Sequence, residues 1–539
     1  MITEQSSSLT ALDWAVIGLY LAGLLIMAAW LARGQTNRDD YFVAGRQIGA
    51  WPVALSVMAT QCSTNSILGA PAFVAFAAGG GLVWLQYELA VPLAMVFLMF
   101  FVLPRLRSLE LVSIYEFLEQ RYDRRTRLAL SGLFLFVRAF ATAVTVYGVA
   151  LVIDLITGLG FVSSVLVLGL FTVVYDCLGG IRGVIYSDVV QLLILTVMLA
   201  VLLLSLTVDA GGPGALLDAF QAERRQALEF SGNGLTDGQT FGFWPMLFGG
   251  FFLYVSYYGC DQSQVQRLFS TATIHDTNRA LFLNGLLRFP LVALYCAVGV
   301  GIGVYALNNP AFLSSLPLSG GNPQVNLAVP VYMITSLPPG IVGLGLVALF
   351  AAAMSSLDSV INALSASTME DFIRPIGRGR RYGHWDIWWS RGVTAAWGGV
   401  TLTLSFFVGD IAPTVLEAIN KVGSLANGPV LAVFLLGFFT RRVVGFAAVT
   451  GLLCGILGNA LCWLYLPNLS WLWWNPFGFA LSVTVAITTQ GCLQVVSPQG
   501  LPEPRQHLSR DRSFPRAWWR WGAVLLIWFF FLLMALAAL

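Results

Sequence analysis

An apolar stretch between residues 351 and 365 carries a high density of oxygen-bearing side chains. Its hydroxyl and carboxylate groups fall within about one and a half helical turns, at Ser355, Ser356, Asp358 and Ser359. A carboxylate near the centre of a bilayer costs roughly 2.5–3.5 kcal/mol on insertion scales, so a chain keeps one where it faces a cavity, an ion or a partner. Hydroxyl and carboxylate oxygens are hard donors of the kind that Na⁺ accepts. The stretch therefore predicts a cation site inside a membrane.

The composition predicts that this site lies in a polytopic membrane protein. The chain has 539 residues, of which 57% are hydrophobic and only 10% are charged, whereas a soluble protein carries about 25% charged residues. Apolar runs of 18 residues or more recur along the whole chain, which is typical of membrane-spanning helices. The ten-residue alternation of a membrane barrel is missing from the sequence. We expect an all-α fold.

The apolar runs predict about fourteen transmembrane helices. We place them at residues 11–33, 51–77, 82–104, 128–156, 161–178, 183–208, 243–266, 279–306, 338–368, 387–409, 414–439, 444–467, 474–494 and 517–538. Arginines concentrate in alternate connections between these spans, those that hold Arg33, Arg105, Arg182, Arg267, Arg374, Arg441 and Arg505. Because basic loops stay in the cytoplasm, we expect a multi-pass protein of the plasma (cell inner) membrane with both termini outside the cytoplasm.

Two of the predicted spans turn polar at mid-membrane. In the span that starts at Trp51, residues 60–66 are almost all polar, and in the span that starts at residue 243 the same change follows Gly259. Non-helical backbone at this depth is tolerated where it lines a wet cavity. Each of the two spans opens a group of five, and paired broken helices point to a midplane site in an inverted-repeat transporter. The alternative is a pair of polar helix interfaces in an ordinary bundle.

This pattern divides the chain into five parts. The first inverted repeat and the second inverted repeat are predicted at residues 46–208 and 243–440, separated by an external loop at 209–242. Residues 1–45 contain an extra N-terminal transmembrane helix, and residues 441–539 contain extra C-terminal transmembrane helices.

Three stretches resemble the sodium/solute symporter family, whose members include sodium–sugar, sodium–proline, sodium–sialate, sodium–iodide and sodium–monocarboxylate carriers. The stretches are residues 179–191 (GGIRGVIYSDVVQ), 351–365 (AAAMSSLDSVINALS) and 419–437 (INKVGSLANGPVLAVFLLG). The resemblance implies a five-plus-five inverted-repeat fold and coupling of solute entry to Na⁺ entry. It also implies a Na⁺ site formed by the carbonyls of Ala59, Cys62 and Ala352 with the hydroxyls of Ser355 and Ser356. An unwound turn that frees carbonyls, next to paired hydroxyls, agrees with that assignment.

A second cation site is one of two interpretations that the resemblance leaves open. Some family members hold a second Na⁺ beside the first, and the matching residues here are Asp188, Ser356, Asp358 and Ser359. The sialate-type version has two serines where this chain has Asp358 and Ser359. In the other interpretation, Asp188 is structural and holds Ser356 in place.

The resemblance also places a solute cavity between the broken helices. Its expected lining residues are Ser63, Ser66, Glu88, Arg138, Tyr254, Tyr257, Arg288 and Asn420. Glu88 matches a glutamate that binds sugar hydroxyls, and Tyr257 matches a tyrosine that closes the cavity on the inside. Ser66 and Tyr254 depart from the sugar-carrier pattern. Arg138 matches an arginine that pairs with a substrate carboxylate in sialate-type relatives, and the alternatives are an ion pair with Glu88 or snorkelling toward a loop.

These features predict Na⁺-coupled symport of a small polar solute, a sugar or polyol, into the cell by alternating access. The alternatives are Na⁺-coupled symport of a small carboxylate (a monocarboxylate, sialate or vitamin-like acid) and a proton-coupled symporter in which Asp188 or Asp358 titrates. One charge moving inward through about 100 mV releases roughly 2.3 kcal/mol. We expect no enzymatic activity, no catalytic residues, no cofactor besides Na⁺ as coupling ion, no nucleic-acid partner, and a chain that functions in the lipid bilayer as a monomer.

Overall fold

The computed structural model describes residues 9–62, 64–319, 321–376, 385–408, 415–493 and 515–539. Within these ranges, the structure does not describe the side chains at positions 65, 319, 376, 385 and 415–422. The described chain is helical apart from its connections and one antiparallel pair of two-residue strands, β1 (Leu318–Ser319) and β2 (Asn322–Pro323). The predicted all-α class is confirmed.

The helices of the first half of the described chain begin with a single membrane-spanning helix and continue through the first broken helix. In chain order, α1 to α11 are Ala11–Leu31, Arg38–Val43, Ala50–Gln61, Thr64–Phe76, Ala90–Phe97, Leu103–Arg107, Glu116–Arg121, Arg124–Thr157, Phe161–Asp209, Pro213–Ala219 and Ala222–Arg225.

The helices of the second half begin with the second broken helix. In chain order, α12 to α23 are Gly250–Cys260, Gln262–Phe269, Ile274–Asn308, Pro310–Ser315, Ala328–Ser336, Ile341–Ser367, Arg374–Ile376, Trp385–Ser405, Val415–Phe439, Gly445–Tyr465, Trp474–Leu493 and Arg516–Ala537. Short 3₁₀ helices lie at Ala44–Arg46, Leu82–Leu89, Val325–Leu327 and Trp471–Trp473. Turns of π-helix lie at Leu98–Val102, Pro245–Gly249 and Thr368–Ile373.

Nine helical stretches of the described residues are long and apolar enough to cross a membrane: Ala11–Leu31, Leu82–Arg107, Arg124–Thr157, Phe161–Asp209, Ile274–Asn308, Ile341–Ile373, Gly445–Tyr465, Trp471–Leu493 and Arg516–Ala537. The predicted count of about fourteen is not confirmed. One reason is that two predicted spans form the single element α9, which bends at Gly180 (φ 54°, ψ −161°) instead of ending there. A second reason is that each broken helix consists of two short pieces.

Both predicted broken helices are present. The first one separates α3 from α4 at Cys62 (φ −80°, ψ 65°), and the second one separates α12 from α13 at Asp261 (φ −91°, ψ 123°). The residues after α13 pair with the residues before α3, because Ile48 N donates to the Ser270 carbonyl at 3.1 Å. One broken helix therefore ends at the level where the other begins, so the two run in opposite directions through the bundle, as an inverted repeat requires.

The start of α17, the helix that carries Ser355 and Ser356, is fixed by a carboxylate from α1. Thr10 and Asp13 form a capping box at the first turn of α1. The other carboxylate oxygen of Asp13 accepts from the backbone N–H groups of Gly340 at 2.8 Å and Gly343 at 2.7 Å. A carboxylate at the exposed N–H groups of a helix start is a favourable arrangement. It sets the depth of α17 in the bundle.

Two of the arginines expected in loops occupy other positions. Arg182 belongs to α9, and Arg267 belongs to α13 and is completely buried. The polar residues after the second break continue as a helix toward the protein interior, so Arg267 points into the bundle rather than into solvent. The prediction of a loop position was wrong for both residues.

Candidate functional site

The break in the first helix lies against the hydroxyl-bearing face of α17. Ser356 Oγ is 3.4 Å from the carbonyl of Thr60 and 3.3 Å from that of Ala352, so its hydroxyl can donate to either. One turn along α17, Ser359 Oγ is 3.1 Å from the hydroxyl of Thr60. Hydroxyls from α17 and main-chain oxygens from the end of α3 therefore meet in one place.

The backbone of α3 supplies the remaining oxygens expected at this place. Ala59 and Cys62 are 3% and 2% exposed, and α3 ends between them at Gln61. Carbonyls in the last turn of a helix have no donors further along it. Ala59 and Cys62 thus lie within two residues of Thr60, whose carbonyl contacts Ser356, and Ser355 precedes Ser356 on α17.

Asp188 of α9 orients the hydroxyl of Ser355. Ser355 Oγ donates to one carboxylate oxygen of Asp188, and Ser56 Oγ donates to the other at 2.5 Å. With its hydrogen directed at Asp188, the oxygen of Ser355 keeps its lone pairs for a cation, as an outer partner does for a metal ligand. The expectation that Asp188 holds Ser356 was wrong, since the contact is with Ser355.

Arg267 lies inside the oxygen cluster to which a second cation was assigned. Its Nε donates to Ser56 Oγ at 2.7 Å, and its Nη2 donates to Ser359 and lies 3.4 Å from Asp188 Oδ2. Sequence reasoning missed this residue. The available signal was the polar run from Asp261 to Arg267, which begins inside the predicted span 243–266.

Three buried carboxylates surround this guanidinium. Asp176, Asp188 and Asp358 are each 0% exposed, and they lie close enough to interact with one another and with Arg267. Asp358 accepts from the hydroxyl of Tyr175 and, at 3.0 Å, from that of Ser359. Three ionised carboxylates beside one guanidinium would carry a net charge of −2, and any that are protonated reduce this charge.

A cavity of about 960 Å³ adjoins the break in the first helix. Its lining includes Thr60, Cys62 and Ser356 from that region, together with six of the predicted solute residues: Ser66, Glu88, Arg138, Tyr254, Tyr257 and Arg288. It reaches the connections on the arginine-poor side of the bundle, at Thr240, Phe241 and Asn326. Ser63 and the side chain of Asn420 lie outside the described residues.

Glu88 is held by an arginine and a tyrosine within the cavity wall. Arg288 Nε is 2.7 Å from Glu88 Oε2 and Nη2 is 3.3 Å from Oε1. The hydroxyl of Tyr254 donates to Oε1 at 3.1 Å. The predicted alternative of a Glu88 ion pair with Arg138 is therefore wrong.

Arg138 pairs with Asp261, the residue at the second helix break. Its Nε donates to Asp261 Oδ2 at 2.7 Å, and its Nη2 donates to the same oxygen. The guanidinium carbon lies 5.1 Å from the ring centre of Tyr257, a cation–π contact. Asp261 Oδ1 caps α13 by accepting from Ser263 N at 2.9 Å. Arg138 thus faces the cavity, and the predicted alternative of snorkelling toward a loop is wrong.

Comparison with known proteins identifies relatives of this arrangement. The chain is 29% identical over 511 residues to the sodium/sialic acid symporter of Proteus mirabilis, covering 93% of this chain and 97% of that one. It is 29% identical to the human sodium-coupled monocarboxylate transporter 1, covering 82% and 70%, and 28% identical to the human sodium/iodide cotransporter, covering 91% and 76%.

Solved structures show the same fold. A Na⁺-coupled sialic acid symporter in a substrate-bound outward-open state aligns with a TM-score of 0.80 at 24% identity, covering 91% of this chain and 99% of that one. A nucleobase-cation-symport-1 family transporter aligns with a TM-score of 0.56 at 14% identity, covering 90% and 98%. The model of the sodium:solute symporter family matches residues 41–455. This chain therefore belongs to the sodium:solute symporter family, whose members are membrane transporters and not enzymes.

Proposed function

We propose that the chain imports a small monovalent organic acid together with Na⁺, and that it binds the solute through its carboxylate. The three curated relatives named above are called after sialic acid, a monocarboxylate and iodide, and each of these solutes is a monovalent anion near neutral pH. The predicted sugar or polyol is not among them, so the carboxylate alternative is favoured. In this chain Glu88, the residue expected to bind sugar hydroxyls, is already engaged by Arg288 and Tyr254.

The observation that carries the proposal is the position of Arg138 in the cavity wall. Asp261 uses a single oxygen on the Nε–Nη2 edge of this guanidinium, which leaves Nη1 to a ligand. The charge of Asp261 is shared with the start of α13, because its other oxygen accepts from Ser263 N and Oγ. Nη1 therefore keeps its hydrogens for a solute, and a carboxylate is the group that a guanidinium recognises best.

The first Na⁺ is proposed to bind between the carbonyls of Ala59, Cys62 and Ala352 and the hydroxyls of Ser355 and Ser356. Support comes from the contact of Ser356 with the carbonyl of Thr60, which ties α17 to the first helix break. A cation there would hold the break against α17 and so fix one wall of the solute cavity. Since binding free energies couple reciprocally, bound solute must then tighten Na⁺ binding by the same factor.

A second Na⁺ is proposed beside the first one, within reach of Asp188, Ser356, Asp358 and Ser359. The argument is charge balance. Three fully buried carboxylates accompany one buried guanidinium in the described part of the cluster, and uncompensated buried charge is strongly unfavourable. When all three carboxylates are ionised, two monovalent cations together with Arg267 would balance the cluster.

The transport cycle is proposed to run inward across the plasma membrane. The cavity reaches the arginine-poor side of the bundle, which the arginine distribution assigns to the outside, with both termini there as well. On this assignment residues 46–208 and 243–440 are the two inverted repeats, and residues 1–45, 209–242 and 441–539 lie outside the repeat core. Tyr257, under Arg138, would move aside when the bundle opens inward.

Ligand-dependent thermal stabilisation of the purified protein tests the carboxylate assignment. We expect lactate or N-acetylneuraminate to raise the melting temperature in Na⁺ but not in K⁺ buffer, and glucose to have no effect. Arg138→Gln should abolish the shift, because the carboxylate loses a charged hydrogen-bond partner. Arg125→Gln is the matched control, since Arg125 is an exposed arginine near the start of the same helix, α8.

The same measurement separates the alternatives. If glucose raises the melting temperature in Na⁺ buffer, and still does so in Arg138→Gln, the solute is a sugar and not a carboxylate. Stabilisation that follows pH and is equal in Na⁺ and K⁺ would indicate proton coupling. If the rise in melting temperature caused by the carboxylates is unchanged in Arg138→Gln, the solute anion binds elsewhere than at this arginine.

A further inference from the structure

The starts of α14 and α23 meet outside the two broken helices and bring aromatic side chains together. The ring centres of His275 and Trp521 are 4.7 Å apart, and Phe282 stacks on the same indole with ring centres 5.6 Å apart. Trp518 Nε1 donates to His275 Nδ1 at 3.3 Å. These contacts fix the indole of Trp521 against one face of α14.

Two exposed arginines lie within one helical turn of this aromatic contact. Arg279 comes four residues after His275 and three residues before Phe282, so the three residues share one face of α14. Arg520 directly precedes Trp521 on α23. Both arginines are exposed, and within the described residues neither guanidinium takes part in an ion pair.

The hydrogen-bonding capacity left in this cluster is that of donors. Asp276, the acid in the first turn of α14, is engaged at the helix start, because Thr273 Oγ1 donates to its Oδ2 at 2.7 Å. The exposed ring of His275 accepts through Nδ1, so its Nε2 carries the proton. The imidazole N–H group and the two guanidinium groups can therefore donate to an acceptor outside the protein.

The cluster lies on the side of the bundle that carries the basic connections. Arg107, at the inner end of its span, donates through Nη2 to the carbonyl of Thr271, just before α14, at 2.7 Å. Beyond Trp521, α23 continues as an apolar helix whose outer face exposes Ile527 and Phe530. Tryptophan rings next to such a face lie at the level of the lipid headgroups.

We infer that His275, Arg279, Arg520 and Trp521 bind the phosphate headgroup of an anionic phospholipid in the inner leaflet. Guanidinium groups from two helices match the charge and the acceptor oxygens of a phosphate, and basic sites between transmembrane helices on the cytoplasmic side bind such headgroups. The exposed apolar face of α23 provides contact for the acyl chains. A zwitterionic lipid carries the same phosphate together with a cation that the arginines repel. The choice of leaflet rests on the orientation proposed above.

Native mass spectrometry of the delipidated full-length protein tests the site. The probes are dioleoylphosphatidylglycerol and dioleoylphosphatidylcholine, which share their acyl chains and phosphate and differ in the charge of the headgroup. We expect the first molecule of phosphatidylglycerol to bind roughly tenfold more tightly than phosphatidylcholine, because two arginines attract the net negative charge.

Arg279→Gln/Arg520→Gln should remove most of this preference and leave the binding of phosphatidylcholine unchanged. Arg441→Gln/Arg442→Gln is the matched control and should keep the preference. It also removes two exposed arginines from the basic side, but in a connection of the chain that contains no tryptophan. Equal melting temperatures of both double variants in phosphatidylcholine show that both are folded.

The inference is overturned if the wild type binds the two lipids equally well, or if Arg279→Gln/Arg520→Gln keeps the preference. It is also overturned if both double variants lose the preference by the same factor, since the lipid would then respond only to the overall charge of this side. Inorganic phosphate is the remaining probe. If it raises the melting temperature of the wild type but not of Arg279→Gln/Arg520→Gln, the cluster binds a soluble anion instead of a lipid.

Discussion

At the scale of single residues, Ser356 is the side chain on which the proposed first Na⁺ site depends most. Its hydroxyl lies between the carbonyls of Thr60 and Ala352, on two different helices. Ser356→Ala should raise the Kd for Na⁺ by roughly tenfold or more, since an interaction with a charged group is lost, and should leave the protein folded. Na⁺ titration of thermal stability, with uptake into proteoliposomes, measures both.

Ser367 supplies a matched control for this substitution. It is a buried serine near the other end of α17, and its hydroxyl has no partner. Ser367→Ala should leave the Na⁺ dependence unchanged. Equal Na⁺ affinity in Ser356→Ala and the wild type would place the site elsewhere.

The ion pairs of the site were harder to predict than its hydroxyls. Ser355 and Ser356 could be found because adjacent oxygen donors in an apolar run are visible in the sequence itself. The partners of Arg138 and Arg267 could not, because the sequence separations are 123 residues to Asp261 and 79 residues to Asp188. Which acid meets which arginine depends on the depth and rotation of four packed helices. Local pattern does not determine those quantities.

At the scale of elements, Gly180 allows α9 to bend between the buried carboxylates Asp176 and Asp188. Its φ of 54° and ψ of −161° lie in a region that L-residues rarely adopt, at a cost of about 1–3 kcal/mol. A Cβ at this position would also lie 2.7 Å from the carbonyl oxygen of Tyr41. Gly180→Ala should therefore lower the free energy of unfolding by at least about 1–3 kcal/mol. Thermal denaturation in detergent measures the change.

Gly183, three residues further along α9, is the matched control position for Gly180. No atom lies within 4 Å of a Cβ built there, so Gly183→Ala should be close to neutral. Equal melting temperatures for the two variants would mean that the bend does not require glycine.

Ion pairs close the arginine-rich side of the bundle. Glu370, at the end of the α17 segment, pairs with Arg38 of α2 and, at 3.0 Å, with Arg374. Its neighbour Asp371 pairs with Arg127 of α8 at 2.6 Å. These contacts join α2 and α8 to the residues that follow α17, and we expect them to oppose opening on that side.

Glu370→Gln should shift the protein toward the inward-open state, because loss of one partner of a buried pair costs several kcal/mol. A cysteine introduced at cavity residue Asn427, in a background without native cysteines, should then react roughly tenfold more slowly with an impermeant thiol reagent from outside. Glu223→Gln, at an exposed glutamate on the other side, should not change the rate. An unchanged rate in Glu370→Gln would exclude these pairs as a gate.

The broken helices were predicted best, and the number of membrane spans was predicted least well. A polar run inside an apolar span has few physical solutions, and both breaks fall in or next to the runs that predicted them. The junction in α9 was predicted as a connection between the spans 161–178 and 183–208. In the fold, two helices meet there at the single non-helical residue Gly180, without a loop between them.

At the scale of the whole molecule, the charge of the solute determines how the membrane potential contributes to transport. One Na⁺ with a monovalent anion moves no net charge, so the potential adds nothing to the driving force. Two Na⁺ with the same anion move one positive charge, which gains roughly 2.3 kcal/mol per 100 mV. The second arrangement is the one proposed above, and it requires the buried carboxylates around Arg267 to be ionised when Na⁺ binds.

Transport by the wild-type protein should therefore be electrogenic, with a ratio of charge to radiolabelled solute close to one in proteoliposomes. Asp358→Asn removes one carboxylate from the cluster without a large change of shape. If the second Na⁺ depends on that charge, the ratio should fall toward zero, and uptake should follow the Na⁺ gradient without responding to voltage. Glu223→Gln, which alters an exposed glutamate far from the cluster, should keep the wild-type ratio. A charge-to-solute ratio near zero in the wild type would mean that only one Na⁺ is coupled to transport. An unaltered ratio in Asp358→Asn would mean that the second Na⁺ does not bind at Asp358.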